Sequence, residues 1–197
     1  NQQFDLATVV PTNKFLCLMR RPSVSRAKLG KFLIENIGLD NVLMSFGSSS
    51  QFGLKAYKNF FPDHNLPILI DGIVSNNQMF YDTEYKPNFY SCVFNIIAES
   101  SSQSDDYVYR SIFLTEKTWK SIRSQCMPVT YGNPGTKTVL TKMGFCLDYD
   151  PDLNCIDKAQ WIADAMRDWS MDYCLDFYTQ NMEIVRHNLF RFYSDDL

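Results

Sequence analysis

Short apolar runs alternate with amphipathic segments along this chain, and that alternation constrains the fold more than any other feature. Lys14 to Met19 (KFLCLM), Asn41 to Phe46 (NVLMSF), Tyr90 to Ala98 (YSCVFNIIA) and Pro128 to Tyr131 each read as short, largely buried strands. Between the first two, Ser25 to Ile37 places Leu29, Phe32, Leu33 and Ile37 on one helical face and stops at Gly38, a C-terminal cap. Between the last two, Thr115 is a helix N-cap, and the helix is expected to run through Trp119, Ile122 and Cys126. Strand–helix–strand repetition predicts a mostly parallel sheet with helices on both faces, an α/β Rossmann-like three-layer αβα domain. A chain of 197 residues, 45% of them hydrophobic, can bury one core of that kind without disulfide or metal, so a single domain over 1–197 is expected.

The other segments are read as follows. Phe52 to Phe61 is a short helix stopped by Pro62, and Leu66 to Ile70 is apolar but weakened as an inner strand by Pro67. Ser75 to Asn88 is a long polar loop of the kind that often carries function, and the aromatic residues from Phe80 to Tyr90 offer a surface for stacking a sugar. After the Pro128 strand, Gly132 to Gly135 (GNPG) is a turn, Thr136 to Met143 a short helix closed by Gly144, and Phe145 to Leu147 a short strand. C-terminal helices fill about 157–192. One is capped by Asp157 and carries Ile162, Ala163, Met166 and Trp169; a second carries Met171, Cys174, Leu175, Tyr178, Met182, Val185 and Leu189.

Charge and cysteine usage remove several function classes. The formal net charge of −3 argues against a general nucleic-acid binder, which would be basic. No apolar stretch approaches the roughly 20 residues of a spanning helix, and no charged-then-apolar leader opens the chain, so no membrane association is expected. None of the six cysteines has C-x-x-C spacing, and His64 and His187 are the only histidines. Reduced, buried thiols in a cytoplasmic protein without a metal site are therefore expected. The first residue is Asn1 rather than methionine, which predicts a chain cut from a longer polypeptide with a second domain.

In a parallel α/β sheet ligands bind outside the carboxyl ends of the strands, where strand order reverses. Three post-strand clusters thereby become candidates: Arg20, Arg21 and Arg26; Glu99; and Thr115-Glu116-Lys117. A helix N-terminus attracts phosphate through its free N–H groups and dipole, Lys117 and Arg26 would add full charges, and arginine can grip a diphosphate through two parallel hydrogen bonds. Glu116 would instead accept hydrogen bonds from sugar or ribose hydroxyls. A diphosphate between two hydroxylated rings, a nucleotide-sugar, suits that mixture. Plainer roles exist for several of these groups. The helix dipole alone favours Glu116 in a first turn, Arg20 and Arg21 fit solvated loop positions, and Trp119 fits a core. Glu99 is harder to explain so, because a carboxylate following a buried strand needs partners. Asp148-Tyr149-Asp150 has the Asp-x-Asp form that can hold a divalent cation beside a diphosphate, which leaves a metal-dependent GT-A transferase as an alternative.

The stretch from Tyr90 to Gly132 (YSCVFNIIAES…FLTEKTWKSIRSQCMPVTYG) resembles the donor-site motif of the alpha-1,3/1,4-fucosyltransferases. In that family a strand ends in Glu-Asn-Ser, a loop leads to Thr-Glu-Lys opening a helix, and a Val-Pro-Val strand ends in Gly. Glu99, Thr115-Glu116-Lys117, Met127-Pro128-Val129 and Tyr131-Gly132 occupy those places. Upstream, KFLCLMRRPSVSRAKLGKFL resembles the family's strand–loop–helix, with Arg26 at the arginine that opens the helix and binds the donor diphosphate. Ser100 stands where the family has Asn, and the loop from Glu99 to Thr115 is longer. The chain also resembles a group of phage and giant-virus proteins through Thr115–Lys120, Pro128–Thr130, Gly132–Gly135 and Met143–Phe145.

The resemblance implies one half of a GT-B glycosyltransferase, binding a nucleotide-sugar without a required metal or other cofactor, with a GDP-sugar slightly favoured over a UDP-sugar. It implies Glu116 on ribose or sugar hydroxyls, Lys117 and Arg26 on the phosphates, and Glu99 near the transferred sugar. The expected activity is inverting transfer of a sugar, as in fucosyl transfer, to a hydroxyl acceptor on a glycan or glycoprotein. A non-catalytic nucleotide-sugar- or glycan-binding module is the non-enzyme alternative.

Overall fold

The computed structural model describes residues 10–19, 23–38, 43–46, 58, 60, 61, 92–98, 112, 114, 116–132 and 135–194. Apart from Lys58, Phe60 and Phe61, the expected helix over 52–61, the Leu66–Ile70 run, the 75–88 loop and its aromatic stretch lie outside those residues. Four strands, β1 (Asn13–Met19), β2 (Leu43–Phe46), β3 (Cys92–Ala98) and β4 (Met127–Tyr131), form one all-parallel sheet in the order β2-β1-β3-β4. Six helices accompany them among the described residues: α1 (Val24–Ile37), α2 (Glu116–Arg123), α3 (Thr136–Lys142), α4 (Cys155–Asp168), α5 (Met171–Gln180) and α6 (Met182–Tyr193).

Every residue of β3 is buried, as a central strand covered on both faces requires. Side-chain alternation along β1 then separates two layers. Phe15, Cys17 and Met19 join Phe94, Ile96 and Val129 under α1, α4 and α5, whose Leu29, Leu33, Ile162, Ala163, Cys174 and Tyr178 complete the main core. Leu16 and Leu18 point the other way, toward Cys92 and Cys126. A third cluster of Ile122, Leu140, Phe145 and Leu147, with Trp119 and Phe192 against it, ties α2, α3 and α6 together. The architecture is the three-layer α/β arrangement that the alternation predicts, and Trp119 is a packing residue, 5.6 Å from Phe145 between ring centroids. Gly38 closes α1 at φ +84°, its N–H bonded to the Ile34 carbonyl, and Gly144 follows α3 at φ +90°.

Four local expectations are corrected. The helix at Thr115 does not reach Cys126: α2 stops at Arg123, Gln125 adopts φ +58°, and Cys126 leads into β4. Phe145 to Leu147 is not a strand. The Asn188 side chain takes the place of a neighbouring strand, its Oδ1 accepting from Cys146 N and its Nδ2 donating to Cys146 O, both at 2.7 Å. The N-cap of α4 is Asn154 rather than Asp157; its Oδ1 accepts from the N–H groups of Ile156 and Asp157 at 3.0 Å each, and its Nδ2 donates to the Asp157 carboxylate at 2.6 Å. The last helical stretch is two helices. The Asn181 N–H ends α5 on Phe177 and Tyr178, and the Asn181 carbonyl accepts the N–H groups of Ile184 and Val185 that begin α6. No helix among the described residues is long and apolar enough to cross a membrane.

Candidate functional site at the carboxyl edge of the sheet

The order β2-β1-β3-β4 means that the chain moves outward from β1 to β2, returns across β1 to β3, and moves outward again to β4. Direction therefore reverses between β1 and β3, the position at which open α/β sheets hold ligands. Among the described residues the β1–β3 pairing runs to Cys17↔Ile96, whereas β1–β2 continues to Met19↔Phe46 and β3–β4 to Ala98↔Tyr131.

A helix starts on each side of this switch point. α1 begins at Val24, shortly after β1, and Ser23 at its N-cap is extended and makes no side-chain cap bond. No acidic residue occupies the first turn of α1, so no carboxylate of that turn offsets the dipole there. Three residues separate the end of α2 from the first residue of β4's ladder region, which puts its opening turn, with Glu116 and Lys117, toward the carboxyl edge. Lys117 is half-buried.

Arg26, in the first turn of α1, is fully buried. Its Nε and Nη2 both donate to the carbonyl of Ala98, the last residue of β3, at 2.8 and 2.6 Å. The guanidinium therefore ties the first turn of α1 to the carboxyl end of β3. Burial pushes the neighbouring Cys17 thiol up to about 12, with the Arg26 charge opposing the rise. The structure thus brings Arg26 and the start of α2 to one edge of the sheet. Arg20, Arg21, Glu99 and Thr115 lie outside the described residues, and Glu116 is placed only as the residue that opens α2.

The Asp-x-Asp pair is differently employed. Asp150 is completely buried, and one carboxylate oxygen is bonded by the Lys158 ammonium while the other accepts from Thr130 N (3.2 Å) and Thr130 Oγ1 (2.7 Å). Lys158 also donates to the Pro151 carbonyl at 2.5 Å, and Lys137 donates to the Asp150 carbonyl at 2.5 Å. Burial raises the Asp150 carboxyl above the usual carboxylate range, opposed by Lys158 and then Thr130. Burial lowers the Lys158 amine, opposed by Asp150. This network fastens the end of β4 to the start of α4 and uses the oxygens a cation would need. Asp148 is exposed and accepts from the Cys146 thiol at 3.3 Å. Among the described residues no group of three or more His, Cys, Asp or Glu could hold a metal ion.

Sequence reasoning did not single out this network, although one signal was available. Lys158 precedes Ile162 by four residues and Met166 by eight, so it stands on the buried face of α4, where a charge demands a partner. A small polar cleft lies above it, lined by Thr130, Gly132, Gly135, Thr136, Lys137 and Leu153 among others. Its volume of about 20 Å³ suits a water molecule rather than a sugar. All six cysteines are free, four buried and Cys146 and Cys155 half-buried.

The fold defines a Rossmann-like α/β domain with a topological switch point between β1 and β3. No family model, curated protein or solved structure matches the chain.

Proposed function

We propose that the chain is the donor-binding domain of a glycosyltransferase, transferring a sugar from a nucleotide-sugar to a hydroxyl acceptor. The observation that supports this best is the reversal of strand order between β1 and β3, flanked by the first turns of α1 and α2 with Arg26 in one and Lys117 in the other. A diphosphate lying across this switch point meets two helix N-termini, the charge of Lys117 and, from within the fold, that of the buried Arg26, and these groups stabilise it as the leaving group while the acceptor hydroxyl attacks the anomeric carbon. In this reading Glu116 and Thr115 receive ribose or sugar hydroxyls, Arg20 and Arg21 add charge beside the diphosphate, and Glu99 lies next to the transferred sugar. The acceptor is a glycan or glycoprotein, and a second domain supplies its site. The similarity of Glu99, Thr115-Glu116-Lys117 and Pro128 to the fucosyltransferase motif favours a GDP-sugar over a UDP-sugar. Asp150 takes no part in metal binding, because its carboxylate is bonded to Lys158 and Thr130.

A thermal-shift screen against GDP-, UDP-, ADP- and dTDP-sugars tests the proposal. At a hundredfold excess over Kd, a bound donor raises Tm by about 5 °C or more. The shift is expected for at least one nucleotide-sugar and is lost in Lys117→Ala. Absence of stabilisation by all four removes the proposal's support.

A further inference from the structure

We propose that the aromatic stripe of Trp169, Tyr173 and Phe177, flanked by Asp172 and Asp176, is a docking surface for an arginine-bearing segment of a partner protein. The three rings recur every fourth residue and form a continuous stack. Trp169 and Tyr173 lie 5.1 Å apart between ring centroids, and Tyr173 and Phe177 lie 6.3 Å apart at an interplanar angle of 29°. The stack is anchored from beneath. Phe94 of β3 sits 5.6 Å from Trp169 and 5.8 Å from Phe177, and Lys14 Nζ donates to the carbonyls of Met166 and Trp169 at 2.8 Å each. Tyr173 nevertheless keeps 48% of its surface in solvent. Phe94 and Lys14 belong to the amino-terminal halves of their strands, so the stripe lies toward the edge of the sheet opposite the proposed donor site. The inference does not depend on that reading.

Charge says what covers the stripe. Each ring residue follows an aspartate directly, and over 164–180 four aspartates face one arginine. Arg167 is already bonded to Asp164 and Asp168, and the Lys14 ammonium to its two carbonyls. Asp172 and Asp176 are exposed and have no ion pair or hydrogen bond among the described residues. Helix stability does not account for them. The dipole favours Asp172 in the first turn of α5, but Asp176 is the sixth residue of that helix, beyond its reach. Aspartate is a poor former of helix interiors, and like charges four residues apart repel. A row of unpaired carboxylates beside a row of anchored rings complements arginine, whose planar guanidinium stacks on an aromatic face while its N–H groups bond a carboxylate. Tyrosine, tryptophan and arginine are also the side chains that dominate protein interfaces.

The test is calorimetric titration of the whole chain, at low ionic strength, with an alanine-based helical peptide carrying arginine at every fourth position, the spacing of Asp172 and Asp176. Binding is expected. It weakens about tenfold in Asp172→Asn with Asp176→Asn, about threefold in Tyr173→Leu, and about threefold when the peptide carries lysine instead of arginine. Asp148→Asn with Asp152→Asn removes the same charge from exposed positions elsewhere and keeps wild-type affinity. No binding by the wild-type chain overturns the proposal. So does equal weakening in the two double variants, which would reduce the attraction to net charge. So does wild-type affinity in Tyr173→Leu together with equal binding of the lysine peptide, which would leave the rings no part in it. Should the Asp172/Asp176 variant fail to fold, Tyr173→Leu and the lysine peptide decide the matter by the same criteria.

Discussion

Asp150 and Lys158 show how a single charged residue can mislead when only its spacing is known. Asp-x-Asp spacing suggests a cation site, yet the carboxylate of Asp150 lies in the interior against Lys158 and Thr130. A buried pair of this kind costs little to replace as a unit and much to break. Lys158→Met alone is expected to destabilise the fold by about 3–5 kcal/mol, and Asp150→Asn with Lys158→Met to restore most of that loss, as read by urea unfolding. The pH dependence has a definite sign. Burial already raises the Asp150 carboxyl, and removing Lys158 removes the main opposing influence, so the folded state of Lys158→Met binds a proton more readily than the unfolded state. Its stability therefore rises as pH falls from the raised folded value toward the ordinary carboxylate range. A variant that loses stability over that interval contradicts the account. Arg26 presents the complementary case. Its location at the start of a helix after a strand is legible in the sequence, but the carbonyl it meets belongs to a strand more than seventy residues away, and no local pattern encodes that partner.

Elements were legible wherever one segment's own pattern decides its structure. β1, β3, β4, α1 and α3 fall close to their expected bounds because apolar run length and helical spacing are local properties. Boundaries failed where a side chain from elsewhere, or a choice between nearby caps, decides. Asn188 satisfies Cys146 from forty-two residues away, so an apolar triplet that reads as a strand needs no sheet. Asn181 interrupts the final helix without disturbing its apolar face, since Tyr178 and Val185 remain two turns apart and buried, and periodicity alone cannot register the break. At α4 the competition between Asn154 and Asp157 is resolved by which side-chain oxygen receives the N–H groups. Asn154→Ala is expected to cost about 1 kcal/mol, whereas Asp157→Ala, which loses a dipole interaction and one exposed contact, costs about half that or less. Equilibrium unfolding of the two variants measures the difference, and a larger loss in Asp157→Ala would reverse the assignment of the cap.

At the scale of the molecule, the parallel sheet and its two helical layers follow from the alternation of elements, but the strand order, with its reversal between β1 and β3, follows from tertiary pairing. The switch point is thus a property of the assembled sheet, with a helix opening on each side of it. The candidate donor site was legible as a set of post-strand residues, and the geometry adds how Arg26 and the start of α2 come to share an edge. Hydrogen exchange of the whole chain with and without the nucleotide-sugar giving the largest thermal shift tests this most directly. The account predicts new protection concentrated in Val24–Ala27 and Glu116–Thr118, with little change at the β4 cleft. Protection confined to Gly135–Lys137 and Asp152–Lys158, or none anywhere, would contradict it.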